Sequence, residues 1–433
     1  MKQAIKFFTL GCKVNQYETQ LIREDFLRRG FRELNNGAVA GCCVVNTCTV
    51  TQRADAESLN LLRRAQRENP RAKIIVTGCL AELDARKIRQ AAPAARIIPK
   101  AMLMGSSRGI SFFQGRTRAF IKAQDGCNNF CSYCRVPLAR GPSRSRPMGR
   151  VLAEAKRLAK AGYKEVVLTG ICLGSYGRDL KPKADIAELA EKIGQVAGIA
   201  RLRLSSIELL DVRPRLIGLL RRSQKLCPHL HIPLQSGDDE VLKKMNRRYT
   251  AEEFIRRVKE IKRLVPDFAL TTDALVGFPG EGEANFRNTI AAIKRLTPLK
   301  THVFPYSPRP GTAAEKIAGQ AAPQVIRERC ARLRKAADKA SAKFLRRFNG
   351  RRLKVLTEGE CPGKPGFMQG YSNNYIKVIF RGDSSSQGGI LGRIFCLTRA
   401  RKGDIIRGTD DKGVAAGRPN FFSPYQRSRR LCR

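Results

Sequence analysis

The sequence lacks any long apolar segment. No uninterrupted apolar run reaches the roughly 20 residues that a bilayer-spanning helix needs. The segment Met1–Leu10 contains Lys2 and Lys6 and leads directly into a patterned region, with no signal peptide or lipidation motif. We therefore expect a cytoplasmic protein that makes no use of a membrane.

Acidic residues are also scarce. The chain has 37 of them against 83 lysines and arginines, which gives a net charge of +46. Net charge does not specify a fold, but it favours a polyanionic partner. Nucleic acid is the leading candidate, because neutralised phosphates release counterions. An anionic membrane surface is the alternative, although the basic residues are spread along the whole chain.

The chain contains 14 cysteines, which need an explanation. A reducing cytoplasm excludes a disulfide framework, so metal binding or catalysis is the usual role. A free cysteine is also an ordinary buried apolar residue, so only those in a pattern are informative. With 433 residues, of which 42% are hydrophobic, the chain predicts two or three domains, each with its own core.

Residues 1–112 alternate short apolar runs with helical patterns. Strands are predicted at 4–9, 44–46 and 73–77, and helices at 19–29, 53–67 and 81–90. Such alternation is typical of a parallel sheet covered by helices. The region therefore predicts a parallel α/β domain.

Residues 113–344 form a second alternating series. Strands are predicted at 119–123, 165–169, 201–205, 230–233, 269–276 and 302–306, and helices at 150–161, 186–196, 239–244, 251–264 and 283–296. Six strands with interleaved helices predict a partial (β/α)6 barrel, with its site at the carboxyl ends of the strands.

Residues 345–433 follow a long basic helix predicted at 324–347 and change character. Short strands at 353–357, 375–380 and 390–395 are separated by glycine, asparagine and serine turns. They predict a small all-β barrel of the kind that binds nucleic acid, with a basic tail at 423–433.

One cysteine pattern is specific. Cys127, Cys131 and Cys134 follow the first predicted barrel strand with spacings x3 and x2, and no fourth cysteine follows closely. Three thiolates suit a [4Fe–4S] cluster with one open iron, whereas structural zinc uses four ligands. An open iron can chelate S-adenosylmethionine (SAM) through its amino and carboxylate groups. An electron from the cluster then cleaves SAM to a 5′-deoxyadenosyl radical, which is cofactor chemistry.

A second cysteine pattern is less specific. Cys12, Cys48 and Cys79 each lie just beyond a predicted strand of the first domain. The carboxyl ends of parallel strands meet at one edge of a sheet, where such folds bind ligands. These cysteines either hold a second cluster or are three unrelated buried thiols.

Longer motifs connect these cysteines to a known family. The motifs are FFTLGCKVNQYET (7–19), VVNTCTVT (44–51), VTGCLAE (76–82), IKAQDGCNNFCSYCRVPLARGPSRSR (121–146), LTGICLGSYG (168–177), RLRLSSIE (201–208), HLHIPLQSGDDEVLKKMNRRYT (229–250), TTDALVGFPGE (271–281) and VFPYSPRPGTAA (303–314). Over nearly its whole length the chain resembles the radical SAM methylthiotransferases. GYSNNYIKV (370–378) resembles the terminal TRAM domain of that family.

The resemblance implies a role for each cysteine pattern. Cys127, Cys131 and Cys134 would hold the catalytic [4Fe–4S] cluster. Cys12, Cys48 and Cys79 would hold an auxiliary [4Fe–4S] cluster whose open iron carries the sulfur or methylsulfur to be inserted. One SAM would methylate the sulfur, and a second would form the radical that abstracts hydrogen from the target carbon.

The motifs GCKVNQYE and NTCTVT most resemble the subgroup that adds a methylthio group at C2 of N6-threonylcarbamoyladenosine in tRNA, just 3′ of the anticodon. The implied partners are a tRNA anticodon stem-loop, an electron donor such as flavodoxin or ferredoxin, and a sulfur donor. The alternatives are methylthiolation of isopentenyl-adenosine tRNA or of a ribosomal-protein aspartate, and a non-catalytic iron–sulfur RNA-binding protein.

Several positions depart from the family pattern. Arg135 and Val136 stand where an aliphatic pair is usual, Cys42 and Cys43 stand where a polar start to the strand is expected, and Gly282 replaces a common threonine. None of them is a predicted cluster ligand, so substrate range is affected more than chemistry.

Further residues are candidates for SAM contacts. Gly170 would let the backbone approach the methionine moiety, unless it is only a turn glycine. Glu208 would contact the ribose or amino group of SAM, with a buried salt bridge as the alternative. Gln235 and Ser236 follow a strand and would line the pocket.

Basic and aromatic residues are candidates for RNA contacts. Arg140, Arg144 and Arg146 form a basic loop after the cluster cysteines and are expected to contact phosphate rather than only solvent. Tyr371 and Asn374 would stack on and hydrogen-bond to bases, with a simple turn as the alternative.

Overall fold

The computed structural model describes residues 3–34, 37–103, 109–396 and 406–409. No helix in these ranges is long and apolar enough to cross a bilayer. The predicted basic tail at 423–433 lies outside the described residues.

The first domain is a parallel α/β sheet, as predicted. Its strand order is β2-β1-β3-β4-β5. The elements are β1 (Ala4–Thr9), α1 (Lys13–Arg28), β2 (Arg32–Glu33), β3 (Cys42–Thr47), α2 (Gln52–Glu68), β4 (Lys73–Gly78), α3 (Cys79–Leu83), α4 (Ala85–Ala91), β5 (Arg96–Ile97) and α5 (Lys100–Leu103). Every residue of the central strand β3 is buried, as expected for a parallel strand covered on both faces. Cys42 and Cys43 are therefore core residues.

Two helix predictions in this domain are wrong in detail. Helix α1 begins at Lys13 rather than at residue 19. The helix predicted at 81–90 is divided at Asp84, whose carboxylate accepts a hydrogen bond from the backbone N–H of Lys87 and so starts α4. A side chain that caps a helix start competes with continuation of the preceding helix.

The second domain contains six parallel strands. Its elements are β6 (Arg118–Lys122), the short pair β7 (Gln124–Asp125) and β8 (Arg144–Ser145), α6 (Val136–Arg140), α7 (Met148–Lys160), β9 (Glu165–Thr169), α8 (Ile186–Gly194), β10 (Arg201–Leu204), α9 (Pro214–Arg222), β11 (His229–His231), α10 (Asp239–Lys244), α11 (Ala251–Leu264), β12 (Ala269–Val276), α12 (Glu283–Leu296) and β13 (Lys300–Pro305). Helix α9 was not predicted.

These strands form a partial barrel. Strands β6, β9 and β10 make one parallel sheet, and β11, β12 and β13 make another. Two parallel bridges, Leu202 with Leu226 and Ser206 with His231, join the two halves between β10 and β11. Within the described residues β6 and β13 are not paired, so the barrel has a lateral gap between them. Helix α1 of the first domain packs against β6, the strand beside this gap.

Helix α13 (Pro323–Arg346) leads to a small closed β-barrel. Its strands are β14 (Arg352–Glu360), β15 (Phe367–Ser372), β16 (Lys377–Arg381), β17 (Ile390–Cys396) and β18 (Ile406–Thr409), in the order β14-β15-β16-β18-β17. Strand β15 was not predicted. The residues described after α13 thus form strands of this barrel with short connections.

The turn between β15 and β16 docks on the amino-terminal ends of the partial barrel. Arg201 donates to the carbonyl oxygens of Tyr371 and Ser372, and Arg203 donates to those of Ser372 and Asn373. Glu165, which is fully buried, lies 2.9 Å from the guanidinium groups of both arginines. The small barrel therefore closes the end of the partial barrel at which its parallel strands begin.

Candidate cluster and S-adenosylmethionine site

The first cysteine triad lies on the loop between β7 and α6, above the carboxyl end of β6. Cys127 Sγ accepts the backbone N–H of Asn129 at 3.5 Å, and the backbone N–H of Cys134 donates to the carbonyl of Cys131 at 3.0 Å. Ser132 anchors the loop, because its hydroxyl donates to the carbonyl of Lys244 at 2.8 Å. Burial, together with the nearby Cys131 thiol, raises the pKa of Cys134 to about 11. Cys131 and Cys134 also act on Cys127, so the three thiols interact electrostatically.

The second triad lies at the carboxyl edge of the first sheet. Cys12, Cys48 and Cys79 follow β1, β3 and β4, which are neighbours in the sheet. Burial raises the pKa of Cys48 to about 11, and the thiols of Cys79 and Cys12 add to the increase. A side chain at Gly78, which has φ of +99°, would begin 2.3 Å from the carbonyl oxygen of Thr47, so only glycine fits beside Cys79.

The donor sets of the two triads fit iron–sulfur clusters. Within each triad the thiols are close enough to interact electrostatically, since Cys131 and Cys134 act on Cys127, and Cys79 and Cys12 act on Cys48. Three thiolates hold a cubane that keeps one open iron, whereas structural zinc takes four protein ligands. The chemistry of the residues present therefore fits two clusters with three protein ligands each.

A guanidinium that was not predicted contacts the first triad. Arg247 Nη1 lies 3.3 Å from Cys131 Sγ, and the same guanidinium forms an ion pair with Glu208. A cationic N–H donor stabilises negative charge on a ligand sulfur. This contact could not be predicted, because Arg247 stands between Asn246 and Arg248 in a polar run that is typical of an exposed surface.

Cys172 borders the same triad. Its sulfur accepts the Nδ2–H of Asn129 at 3.6 Å, and Asn129 also contacts Cys127. The residue is buried, as a packing role requires.

A buried polar network joins the first domain beside Cys12 to Asp125, which shortly precedes Cys127 in the chain. Arg140 donates to Glu18 Oε1 at 2.8 Å, to Asp125 Oδ1 at 2.9 Å and to Asn15 Oδ1 at 2.6 Å. The same Asn15 oxygen lies 3.6 Å from Cys12 Sγ. Burial raises the pKa of Asp125, but the charges of Lys122 and Arg140 outweigh this effect and lower it well below its usual range. The network is therefore ionised and fixes one domain against the other.

The RNA contact of Arg140 stays a prediction; the structure places its side chain in this network, where it is only 1% exposed. Arg146 is largely engaged as well, since its guanidinium contacts Glu154 at 2.7 Å and the Tyr17 hydroxyl at 3.0 Å. Arg144 alone of the three is exposed.

The candidate RNA-binding residues of the small barrel lie at its contact with the partial barrel. Asn374 is buried, with its oxygen bonded to the Ser372 hydroxyl at 2.6 Å. The half-buried Tyr371 ring packs under the Arg118 guanidinium at 5.0 Å. Tyr371 lies on β15 and Asn374 in the turn that follows it, and their contact with bases stays a prediction.

The candidate SAM contacts occupy different environments. Gly170 lies at the carboxyl end of β9, where an added Cβ would approach Gln124 Oε1 to 2.8 Å. Gln235 has a left-handed backbone with φ of 64° in the loop between β11 and α10. Ser236 is fully buried, with its hydroxyl against that of Thr289, and its place in the pocket stays a prediction. Glu208 is partly exposed beside Arg247. Gly170, Glu208, Gln235 and Ser236 remain candidates.

Comparisons with known proteins agree with this site. Residues 121–293 match the model of the radical SAM superfamily, and residues 4–99 match a model described as uncharacterized protein family UPF0004. The fold resembles that of a radical S-adenosylmethionine methyltransferase, TsrM, from Kitasatospora setae, with a TM-score of 0.53 and 14% identity over 72% of this chain and 77% of that one. The fold and the cysteines thus define a radical SAM enzyme.

Similar proteins indicate the family within the radical SAM enzymes to which this chain belongs. The chain is 38% identical to the threonylcarbamoyladenosine tRNA methylthiotransferase MtaB of Bacillus subtilis, over 89% of this chain and 92% of that protein. The Thermotoga maritima protein of the same name is 36% identical over 88% and 92%. A tRNA-2-methylthio-N(6)-dimethylallyladenosine synthase of Pelotomaculum thermopropionicum is 33% identical over 89% and 93%. The chain therefore belongs to the radical SAM methylthiotransferase family, whose cofactors are SAM and two [4Fe–4S] clusters.

Proposed function

We propose that this enzyme adds a methylthio group to C2 of N6-threonylcarbamoyladenosine in tRNA, just 3′ of the anticodon. The observation that carries the proposal is the 38% identity with the Bacillus subtilis enzyme named for that nucleoside, which extends over 92% of its length. Relatives named for the dimethylallyl nucleoside are 32% to 33% identical, so the two substrates need an independent test.

In this proposal Cys127, Cys131 and Cys134 hold the catalytic cluster, and Cys12, Cys48 and Cys79 hold the auxiliary one. When bound, these groups supply one-electron cleavage of SAM and the sulfur to be transferred. A radical is needed because the C2–H bond of adenine is too strong and too weakly acidic for a side-chain base. Arg247 stabilises the charge on Cys131, and Glu208 holds Arg247 in place.

The protein's main task is positioning. SAM, the base and the transferred sulfur must meet between the two triads, so the domains cannot slide against each other. The Arg140 network holds α1 of the first domain against the second domain through Glu18 and Asn15. A second constraint comes from Arg309, which donates to Asp55 at 2.8 Å and to the Thr49 hydroxyl at 2.8 Å, just beyond Cys48.

The charge of +46 supports an RNA substrate. An anticodon loop presents unstacked bases that can be turned out and reached. Arg144, exposed on β8, remains a candidate for a phosphate contact. The proposal also requires a one-electron donor such as flavodoxin or ferredoxin and a source of sulfur, and it places the enzyme in the cytoplasm with its tRNA.

The test is anaerobic reconstitution followed by turnover. We expect about eight irons per chain, as two cubanes require, and release of 5′-deoxyadenosine with SAM and reductant. An anticodon stem-loop carrying N6-threonylcarbamoyladenosine should yield its 2-methylthio derivative by mass spectrometry of nucleosides. The variant Cys127→Ala should retain about four irons and form neither product.

Other results would support the alternatives. Product formed only with a dimethylallyladenosine stem-loop, or only on a ribosomal-protein aspartate, would replace the proposed substrate. Full iron content and RNA binding without 5′-deoxyadenosine would indicate a non-catalytic protein.

A further inference from the structure

A polar side-chain cluster lies in the middle of the partial barrel, apart from both cysteine triads. His231, Asp273 and His302 stand on the neighbouring strands β11, β12 and β13, and the three can bring one nitrogen or oxygen atom each within 4.8 Å of the others. His231 Nε2 lies 3.1 Å from Asp273 Oδ2, and its Nδ1 lies 3.0 Å from the Thr271 hydroxyl. The proposed chemistry uses none of these side chains.

The cluster faces the interior of the barrel. The alternate residues of β11, Leu230 and Ile232, point the other way into the main hydrophobic core. The side chains of His231 and Asp273 remain 19% and 22% exposed although they lie within the barrel. Since polar groups in the middle of a barrel cost free energy unless they have partners, their exposed atoms are available to a ligand.

Aromatic rings continue this cluster in two directions. His302 stacks on Phe304 with centroids 6.3 Å apart and an interplanar angle of 24°, and Phe304 is 44% exposed on the edge strand β13. At the end of the barrel closed by the docked turn, the buried His229 packs on Tyr375, with ring centroids 4.6 Å apart. Aromatic rings therefore border the cluster at that end and along β13, the strand beside the lateral gap.

Lys13 supplies a positive charge on the side of α1. On this helix Lys13 shares a face with Gln16 and Tyr17, whose side chains bond to Arg116 and Glu154 of the second domain. Lys13 is half-buried and forms no ion pair or hydrogen bond with any described residue. Its charge also contributes to the lowered pKa of His302, for which burial is the main cause.

We propose that Lys13, His231, Asp273 and His302 bind the N6-threonylcarbamoyl group of the substrate, with Lys13 paired to its carboxylate. The inference rests on the proposed function and names the residues that select its substrate. The threonylcarbamoyl group carries a carboxylate, a hydroxyl and urea N–H groups. An ammonium, a carboxylate acceptor and two imidazoles match these groups, because each polar atom finds an opposite partner.

The position of Lys13 also fits the reacting carbon. Lys13 directly follows Cys12, so their Cα atoms are about 3.8 Å apart. C2 and N6 flank N1 on one edge of adenine. A base that presents C2 to the site of Cys12 can therefore place its N6 group within reach of the Lys13 side chain.

The same residues predict that an apolar N6 group is rejected. A dimethylallyl chain offers only C–H groups, so it would desolvate Lys13 and Asp273 without replacing their hydrogen bonds to water. A site built for polar partners discriminates strongly against an analogue that lacks them.

Binding without turnover tests this inference. Reconstituted enzyme is titrated anaerobically, without SAM, against fluorescent anticodon stem-loops that carry threonylcarbamoyladenosine, its carboxylate methyl ester or unmodified adenosine. We expect wild type to prefer the acid over the ester. Lys13→Met should weaken binding of the acid about 10- to 100-fold, as loss of a charge-assisted hydrogen bond predicts, and should abolish the preference over the ester. Lys13→Arg should restore most of the affinity for the acid and most of its preference over the ester.

His302→Leu and Asp273→Asn should reduce the preference for threonylcarbamoyladenosine over adenosine. The matched control Lys87→Met removes a partly exposed lysine of the same domain that pairs with Asp84. It should leave the ratios of the affinities for the three stem-loops unchanged. Iron content verifies that each variant is loaded.

The inference and the proposed function fail in different ways. If wild type methylthiolates threonylcarbamoyladenosine but Lys13→Met keeps the full preference for the acid over the ester, the inference is overturned and the function stands. If wild type neither prefers nor modifies that nucleoside, the proposed function itself is overturned.

Discussion

The environment of Arg140 differs from the one that its neighbours in the sequence indicate. It stands in a basic loop with Arg144 and Arg146, which predicts contact with phosphate. Its partners, Glu18 and Asp125, come from two different domains. Because the sequence does not show that these carboxylates converge on one buried point, only the fold separates Arg140 from the exposed Arg144.

Removal of Arg140 should therefore destabilise the protein. In Arg140→Met the carboxylates of Glu18 and Asp125 keep only Lys122 as a cationic partner. Loss of one member of a buried ionic network costs about 3–5 kcal/mol. We expect this loss in the free energy of unfolding, measured by chemical denaturation of the protein before and after reconstitution.

Arg144→Met is the matched control for this prediction. Because Arg144 is exposed, its removal should change stability by less than about 0.5 kcal/mol and should weaken RNA binding instead. Equal stabilities of the two variants would contradict the role assigned to Arg140.

The cluster role of Cys127, Cys131 and Cys134 could be predicted because their spacing alone indicates the chemistry. The positions of Cys12, Cys48 and Cys79 left two interpretations open, and only the family resemblance implied a cluster for them. The surroundings of Ser236 and Asn374 could not be predicted, since a short polar side chain bonds equally well to a ligand or to a neighbouring turn. In the structure Ser236 meets Thr289, and Asn374 meets Ser372. Such choices depend on long-range packing that a single sequence does not display.

At the scale of elements, parallel strands were the most predictable part. Strands β9 and β12 have the predicted bounds, because each is a short β-branched and apolar run between turn residues. The start of α1 was missed because Asn15 and Glu18 are buried polar residues. Asn15 donates to the carbonyl oxygens of Leu10 and Thr47, so its inward position leaves no amphipathic pattern.

The docked turn between β15 and β16 gives a prediction at this scale. Arg203→Met removes two hydrogen bonds to the turn and one of the ion pairs of the buried Glu165. We expect a loss of about 3 kcal/mol in stability, with faster hydrogen exchange in β15 and β16 than in β1 and β3.

Arg222→Met serves as the control for this variant, because its ion pair with Glu191 lies at the surface and contributes about 0–1 kcal/mol. Uniform exchange across all three domains in Arg203→Met would show that the turn does not hold the small barrel in place.

At the scale of the whole molecule, three domains contribute to one interior. Lys13 comes from the first domain, His302 from the partial barrel and Tyr375 from the small barrel. The charge of Lys13 helps to lower the pKa of Tyr375, which the Arg118 guanidinium lowers more strongly against the effect of burial. No motif search along the chain would group these residues, because they are separated by most of its length.

In the proposed complex, two kinds of electrostatic contact bind the tRNA: one with its phosphate backbone and one with the N6 group of the modified base. The net charge of +46 acts on tRNA through the phosphate backbone. If about 6–10 phosphates are neutralised, affinity should fall about 10³- to 10⁵-fold between 50 and 200 mM salt. The contact of Lys13 with the N6 group lies inside the barrel, and buried pairs are screened much less than exposed ones.

Overall affinity and nucleoside preference should therefore respond differently to salt. Titrations of stem-loops with and without the threonylcarbamoyl group at several salt concentrations would measure both. We expect parallel plots of log affinity against log salt, with a nearly constant ratio between the two RNAs in wild type. In Lys13→Met the ratio should be smaller at every concentration while the slope for both RNAs stays steep. A preference that disappears with salt in wild type would instead place the carboxylate contact on the exposed surface of the protein.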